Sequence, residues 1–250
     1  MALDRRMMSK HRLLDRLPAL LMLVGSIACS PGAEPDAAPA DDPAQPGYSA
    51  AGNEPFWSLA FGESAIELYR LDVEDTVRVP RPQAERIDGG WRYAGTAGGG
   101  PFVVEILERR CNDSMSGRPY PHTVVVTVLD RVYRGCGGDT VSLLADGEWR
   151  VMRLDGAPTV DPAPTLHFEA DGALSGSGGC NRYRASYEVT GEGIRIGPAA
   201  ATRIACPEPE TNAQEMHFFD VLERVDRFDI AEDGSLVLYA FDEPVIVAAR

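Results

Sequence analysis

After Lys10 the chain contains no lysine, so every later cation is an arginine. Its 250 residues hold no Cys-x-x-Cys pair, which removes the usual signal of a zinc knuckle or a thioredoxin-type redox centre. No Gly-x-Ser-x-Gly elbow is present for a nucleophilic serine. The glycine run Gly95-Thr-Ala-Gly-Gly-Gly100 lacks the Lys-Ser/Thr of a phosphate loop, which argues against a bound nucleotide. Positive charge is scarce as well. The chain carries −14 overall and its first 28 residues carry +3, which leaves −17 on the rest. Such a body has no electrostatic footprint for nucleic acid, and anionic lipid headgroups would repel it. Membrane attachment then has to be covalent or mediated by a partner.

What is present begins with an export signal. Residues 5–16 are basic, and residues 17–27 form an apolar run of signal-peptide length, short of the ~20 residues that cross a bilayer. Gly25-Ser26-Ile27-Ala28-Cys29 is similar to a bacterial lipobox, with Ser26 where leucine is usual. On that reading residues 1–28 are a lipoprotein signal peptide and Cys29 carries the lipid. Ordinary cleavage after Ser26-x-Ala28 is the alternative, and Met7 or Met8 would serve equally as the start. Residues 29–50 are rich in proline, alanine and aspartate and offer little to bury, so a disordered, extended tether is expected. Such a tether suits an outer-membrane lipoprotein standing off into the periplasm.

Five cysteines occur, at 29, 111, 136, 180 and 206. With Cys29 acylated, four remain in an oxidising compartment, where disulfides are favoured over metal. Proximity in sequence and a domain break near residue 147 favour Cys111–Cys136 and Cys180–Cys206 among the three possible pairings. No metal and no cofactor is expected.

Residues 52–145 read as an all-β domain. Phe102, Val104 and Ile106 alternate on one face, as do Val124, Val126 and Val128, and Asp88-Gly-Gly is a turn signal. Short strands with glycine-rich turns predict a small antiparallel barrel or sandwich. Gly52-Asn-Glu-Pro-Phe-Trp57, Cys111-Asn-Asp-Ser-Met-Ser-Gly117, Tyr120-Pro121 and Tyr133-Arg-Gly-Cys136 resemble a domain of bacterial envelope lipoproteins with no assigned activity. Ser114 departs from the glycine usual there. Asp113, Ser114, Ser116 and His122 are triad residue types, but the favoured reading is a disulfide-anchored loop whose Asp and Ser satisfy their own backbone.

Residues 147–250 read as strands interrupted by one helix. Pro207-Glu-Pro-Glu opens the helix, and Phe218, Leu222 and Val225 form its apolar stripe with Met216 and Phe219 beside it. His167 alternates with Leu166 and Phe168 and is expected to face water. Gly147-x-Trp149, Leu154-x-Gly156, Leu174-Ser-Gly, Gly179-Cys-Asn-Arg-Tyr183 and Thr202-x-x-Ala-Cys206 are the principal motifs here. They resemble the META domain (HslJ-like) family. That resemblance implies a compact, mainly antiparallel α+β domain, links to envelope stress and antibiotic tolerance, and no established enzyme activity. The fold class expected for the chain is therefore mainly β with one helix, a barrel or sandwich followed by a META-type domain.

Asn181, Tyr183 and Thr202 are the candidate binding residues. Asn181 and Tyr183 either brace the glycine-rich bend or line a small polar recess. Three functions compete. The first is a tethered, non-enzymatic envelope protein that binds a basic protein or a small ligand. The second is a hydrolase built on a Ser/Asp/His set, with His122 or with Glu215 and His217. The third is a purely structural spacer. Nothing in the sequence gives the oligomeric state.

Overall fold

The computed structural model describes residues 42–191 and 193–250. The expected signal peptide, Cys29 and the first part of the expected tether lie outside the described residues. The remaining part of that expectation is corrected. Asp42, Ala44 and Tyr48 are buried, and the first strand already begins at Ser49. The Asp42 carboxylate accepts hydrogen bonds from Tyr93 Oη, from Ala44 N (2.9 Å) and from Arg81 Nη2 (3.2 Å). Tyr48 packs edge-on against Phe61. Polar composition suggested solvation, but one buried carboxylate with three donors and one aromatic side chain suffice to order residues 42–50.

The front half is one antiparallel sheet. Its strands are β1 (Ser49–Asn53), β2 (Phe56–Phe61), β3 (Ala65–Arg70), β4 (Asp75–Pro80), β5 (Ala84–Ile87), β6 (Gly90–Ala97) and β7 (Gly100–Leu107). After the short ribbon β8 (Cys111–Asn112) and β9 (Pro119–Tyr120) come β10 (His122–Val128) and β11 (Arg131–Gly137). The order across the sheet is β4-β3-β2-β1-β11-β10-β7-β6-β5, and the sheet curls until β4 lies against β6. Period-two alternation turns Phe102, Val104, Ile106, Val124 and Val126 inward around Trp57, Trp91 and Tyr93. Gly52 and Gly135 are required here. A Cβ on Gly52 would come within 2.3 Å of Trp57 Nε1, and one on Gly135 within 2.0 Å of Ala51 O. Their absence of side chains lets the Trp57 indole lie across the strands and donate to Arg134 O at 3.2 Å.

One helical turn, α1 (Ser142–Ala145), leads into the back half. There follow β12 (Glu148–Leu154), β13 (Ala157–Pro158), β14 (Thr165–Phe168), β15 (Ala173–Ser177), β16 (Arg182–Val189), β17 (Ile194–Ile196) and β18 (Ala200–Ala201). Helix α2 (Pro209–Leu222) precedes β19 (Arg227–Ile230), β20 (Leu236–Ala240) and β21 (Glu243–Ala249). The second sheet runs β17-β16-β15-β14-β12-β21-β20-β19, with β13 on β12 and β18 on β16. It curls so that Ile194 N donates to Asp226 O at 2.9 Å. The molecule is mainly β, as the alternation predicts.

Helix α2 buries Thr211, Glu215, Phe218, Val221 and Leu222. The stripe therefore includes a carboxylate, while Met216 is 64% exposed and stands outside it. Loop residues of the front half reach the second sheet. Arg118 Nη1 donates to Thr190 O at 2.9 Å, Arg110 donates to Ile230 O, and Asn112 donates to Asp229 at 3.3 Å.

Candidate functional site

β15 ends at Ser177, and the chain turns through Gly178, Gly179, Cys180 and Asn181 into β16. Gly179 has φ +114, a conformation that L side chains rarely adopt. Gly178 admits a close approach: a Cβ there would meet Glu215 Oε2 at 2.7 Å and Phe219 Cζ at 2.9 Å. Into that space α2 delivers the buried Glu215. Its Oε2 accepts from Asn181 N (2.5 Å) and Cys180 N (3.1 Å), and its Oε1 accepts from Asn181 Nδ2 (2.7 Å). Asn181 Oδ1 in turn accepts from Thr202 Oγ1 and Ile204 N, both at 2.7 Å, and Nδ2 also donates to Ile204 O at 3.2 Å. The Cys180–Cys206 disulfide closes the same junction with a Cα separation of 5.8 Å, and Cys111–Cys136 closes the front-half loop at 5.4 Å.

This arrangement corrects the reading of Asn181 as a ligand group. Every polar atom of its side chain is committed to the bend, to Thr202 and to Glu215. Tyr183 is likewise part of the frame. Its ring packs on Phe218 and Phe219, and its hydroxyl donates to Thr165 O at 2.9 Å. Burial, with a smaller contribution from the charge of Glu148, pushes its pKa far above the ordinary phenol value, so it stays neutral.

The open surface is the opposite face of the same strands. An irregular cavity of about 790 Å³ lies over β14, β15, β16 and β18, bordered by Tyr183 and Thr202 but not by Asn181. Strand register gives it two rows. Glu148, His167, Ser175 and Arg184 stand opposite one another on β12, β14, β15 and β16. Ser177 and Arg182 form part of the neighbouring row, with Thr165 joined to it where Ser177 N donates to Thr165 Oγ1 at 3.1 Å. His167 faces outward, as the alternation predicts. It stands between Glu148 and Ser175 in the register, yet no hydrogen bond joins these three side chains.

The bend and its two flanking segments correspond to motifs that carried the family resemblance. Residues 142–250 match the META domain. A comparison with curated proteins found no match. Among solved structures, an NMR structure of a protein from Burkholderia xenovorans aligns at 25% identity over 44% of this chain and 85% of that one, with a TM-score of 0.36. A second NMR structure aligns at 19% identity over 44% of this chain and 94% of that one, with a TM-score of 0.37. A META domain indicates an envelope-type binding module.

The candidates outside the META groove are held in structural roles. Asp113 accepts from Ser116 N (2.8 Å), Ser116 Oγ (2.8 Å), Met115 N (3.1 Å) and Asn53 Nδ2 (2.8 Å). Burial alone would raise its pKa, but these hydrogen bonds outweigh it and the carboxyl lies below its usual value. The residues of Gly52-Asn-Glu-Pro-Phe-Trp57 thereby acquire a purpose, since Asn53 ties β1 to the Cys111 loop. Ser114 Oγ accepts from Asn53 Nδ2 at 3.0 Å. His217 pairs with Asp155 at 3.1 Å rather than with Glu215, which points into the core.

His122 is half-buried with Tyr48 Oη at 3.3 Å from its Nδ1. Burial lowers its pKa below the ordinary 6.5, partly offset by the charge of Glu108. As pH falls through 6.5 the unfolded chain takes up a proton that the folded chain resists, so stability falls with pH in that window. Urea unfolding at a series of pH values should show this slope as pH falls below about 6.5, and His122→Gln should reduce it.

Cys180 Sγ, Cys206 Sγ and a Glu215 oxygen lie within 4.8 Å of one another, a grouping with the residue types of a metal site. In the oxidised state the sulfurs are bonded to each other and offer no thiolate, and Glu215 already serves three N–H donors.

Proposed function

We propose that the protein is a non-enzymatic binding module of the bacterial envelope, an outer-membrane lipoprotein held by a lipid on Cys29 and facing the periplasm. Stress or antibiotic tolerance is the setting the family suggests. The observation that carries this reading is the open polar cavity of about 790 Å³ on the second sheet, whose border includes His167, Ser175, Arg182 and Arg184, side chains that make no hydrogen bond among the described residues. A spacer needs no such surface. The disulfide, Asn181 and Glu215 fix the bend behind it, which is how a binding face is kept in shape without a ligand.

The test is retention of an envelope component by the purified chain, compared with Ser175→Trp, which fills the groove from its centre. A component retained by the wild type and lost from the folded variant supports the reading. Equal retention by both places the binding elsewhere. A second reading rests on the register row Glu148, His167 and Ser175, an acid, an imidazole and a hydroxyl on adjacent strands. Hydrolysis by that row predicts covalent labelling of Ser175 by a fluorophosphonate, read by peptide mass spectrometry.

A further inference from the structure

We infer that the META groove takes a ligand carrying two oxyanion groups, phosphate or carboxylate, and that Arg182 and Arg184 bind them. The inference rests on the binding reading above and adds the chemistry of what is bound. Three observations carry it.

The first is the state of the two arginines. Both stand exposed on β16 at the border of the cavity, and among the described residues neither side chain makes a hydrogen bond or an ion pair. Elsewhere in this half acids are at hand: Arg150 pairs with Asp161, Arg224 with Asp155, and Arg227 with Asp242. Arg195 and Arg203 are also unpaired but do not border this cavity. Residues two apart on a strand face the same way about 6.6–6.8 Å apart, so the guanidinium groups form a pair on one face. Arginine presents a planar fork suited to phosphate or carboxylate.

The second is the polarity of the hydroxyls. Thr165 Oγ1 accepts from Ser177 N, and Ser177 Oγ accepts from Gly179 N, each at 3.1 Å. With the backbone using an acceptor site on each oxygen, the O–H hydrogens remain available to donate. Ser175 stands beside Arg184 in the register, and its hydroxyl makes no hydrogen bond among the described residues. The arginine end of the groove therefore presents donors, and a donor-rich surface recognises an acceptor-rich ligand.

The third is the position of the one acid. Glu148 stands three strands from Arg184 across the row, about 14 Å away at the usual strand spacing. That exceeds the screening length of about 8 Å at physiological salt. The −17 carried by residues beyond 28 is screened in the same way, so the local pair decides at close range.

The probe is a sugar bisphosphate titrated into the purified, oxidised full chain by calorimetry, with the unphosphorylated sugar and inorganic phosphate alongside. Expected is binding of the bisphosphate, weaker binding of phosphate and none of the neutral sugar. Arg182→Gln and Arg184→Gln should each weaken binding about tenfold with an unchanged melting temperature. A parallel arm uses vesicles with and without phosphatidylglycerol. Arginine-dependent binding to the anionic vesicles assigns the oxyanions to a lipid headgroup, and binding of the soluble probe alone assigns them to a free ligand. No binding in either arm, or binding unaffected by both variants, overturns the inference. If Ser175→Trp still abolishes retention of an envelope component in that case, the groove remains a binding site and only the ligand chemistry is wrong.

Discussion

Glu215→Ala should cost about 3–5 kcal/mol of stability, as much as truncating a large buried aromatic side chain of the META half. The carboxylate accepts from Asn181 N, Cys180 N and Asn181 Nδ2. Removing it strands three donors in a buried junction, at about 1–3 kcal/mol each before relaxation or water entry. In a chain of this size that is a fall in Tm on the order of 10 °C. Glu215→Gln should cost less, since Oε1 survives as an acceptor while an amide meets two N–H donors where Oε2 stood. Asp220→Ala, which removes an exposed acid from the same helix, should stay within about 0.5 kcal/mol. Urea unfolding of the three variants measures all of this. Equal stability of Glu215→Ala and Asp220→Ala would remove the structural role assigned to the buried carboxylate.

Opening the Cys180–Cys206 crosslink is the second large effect. The closed loop spans a separation of 26 residues, which in the chain-entropy model stabilises the fold by about 3.5 kcal/mol. The double variant Cys180→Ser with Cys206→Ser should lose about that much. Its consequences should be local as well. Thr202 and Ile204 lie between the two cysteines and hold Asn181 Oδ1, so their anchorage weakens with the bridge. Amide hydrogen exchange should accelerate at residues 178–182 and 202–206 while β6, β7 and β10 of the front half keep their protection. Uniform acceleration through both halves would show that the bridge stabilises the molecule only as a whole.

Much of this architecture was legible in the sequence because its causes are local. Alternation marked β7 and β10, and the glycine and cysteine spacing marked the bend and the local disulfide pairings. Helix α2 was placed by its apolar stripe, but the stripe misled at one position. Thr211, Glu215, Phe218 and Leu222 share the helical face, so Glu215 sat on the buried side by spacing alone. Its charge argued the other way, and only the opposing N–H donors of Cys180 and Asn181 resolve the conflict. Residues 42–50 were read as tether for the same reason. Their composition is polar, and the burial of Asp42 depends on Tyr93 and Arg81, 51 and 39 residues away in sequence.

The candidate site was half legible. The motif directed attention to Asn181, Tyr183 and Thr202; Asn181 belongs wholly to the frame, while Tyr183 and Thr202 serve the frame and also border the cavity. Arg182 lies within that motif and points to the other face. Its significance is relational: neither Arg182 nor Arg184 has an acidic partner, and that requires knowing what stands on β15 and β18. The neighbouring hydroxyls are informative only once their acceptor sites are seen to be filled by backbone N–H groups.

The most direct test of the account is amide chemical-shift mapping of the oxidised full chain as the sugar bisphosphate is added. The account predicts that the shifted amides cluster at Thr165, Ser175, Ser177, Arg182 and Arg184, with the Asp113 loop and β10 unmoved. Shifts confined to the front half, or scattered over both sheets, would contradict it.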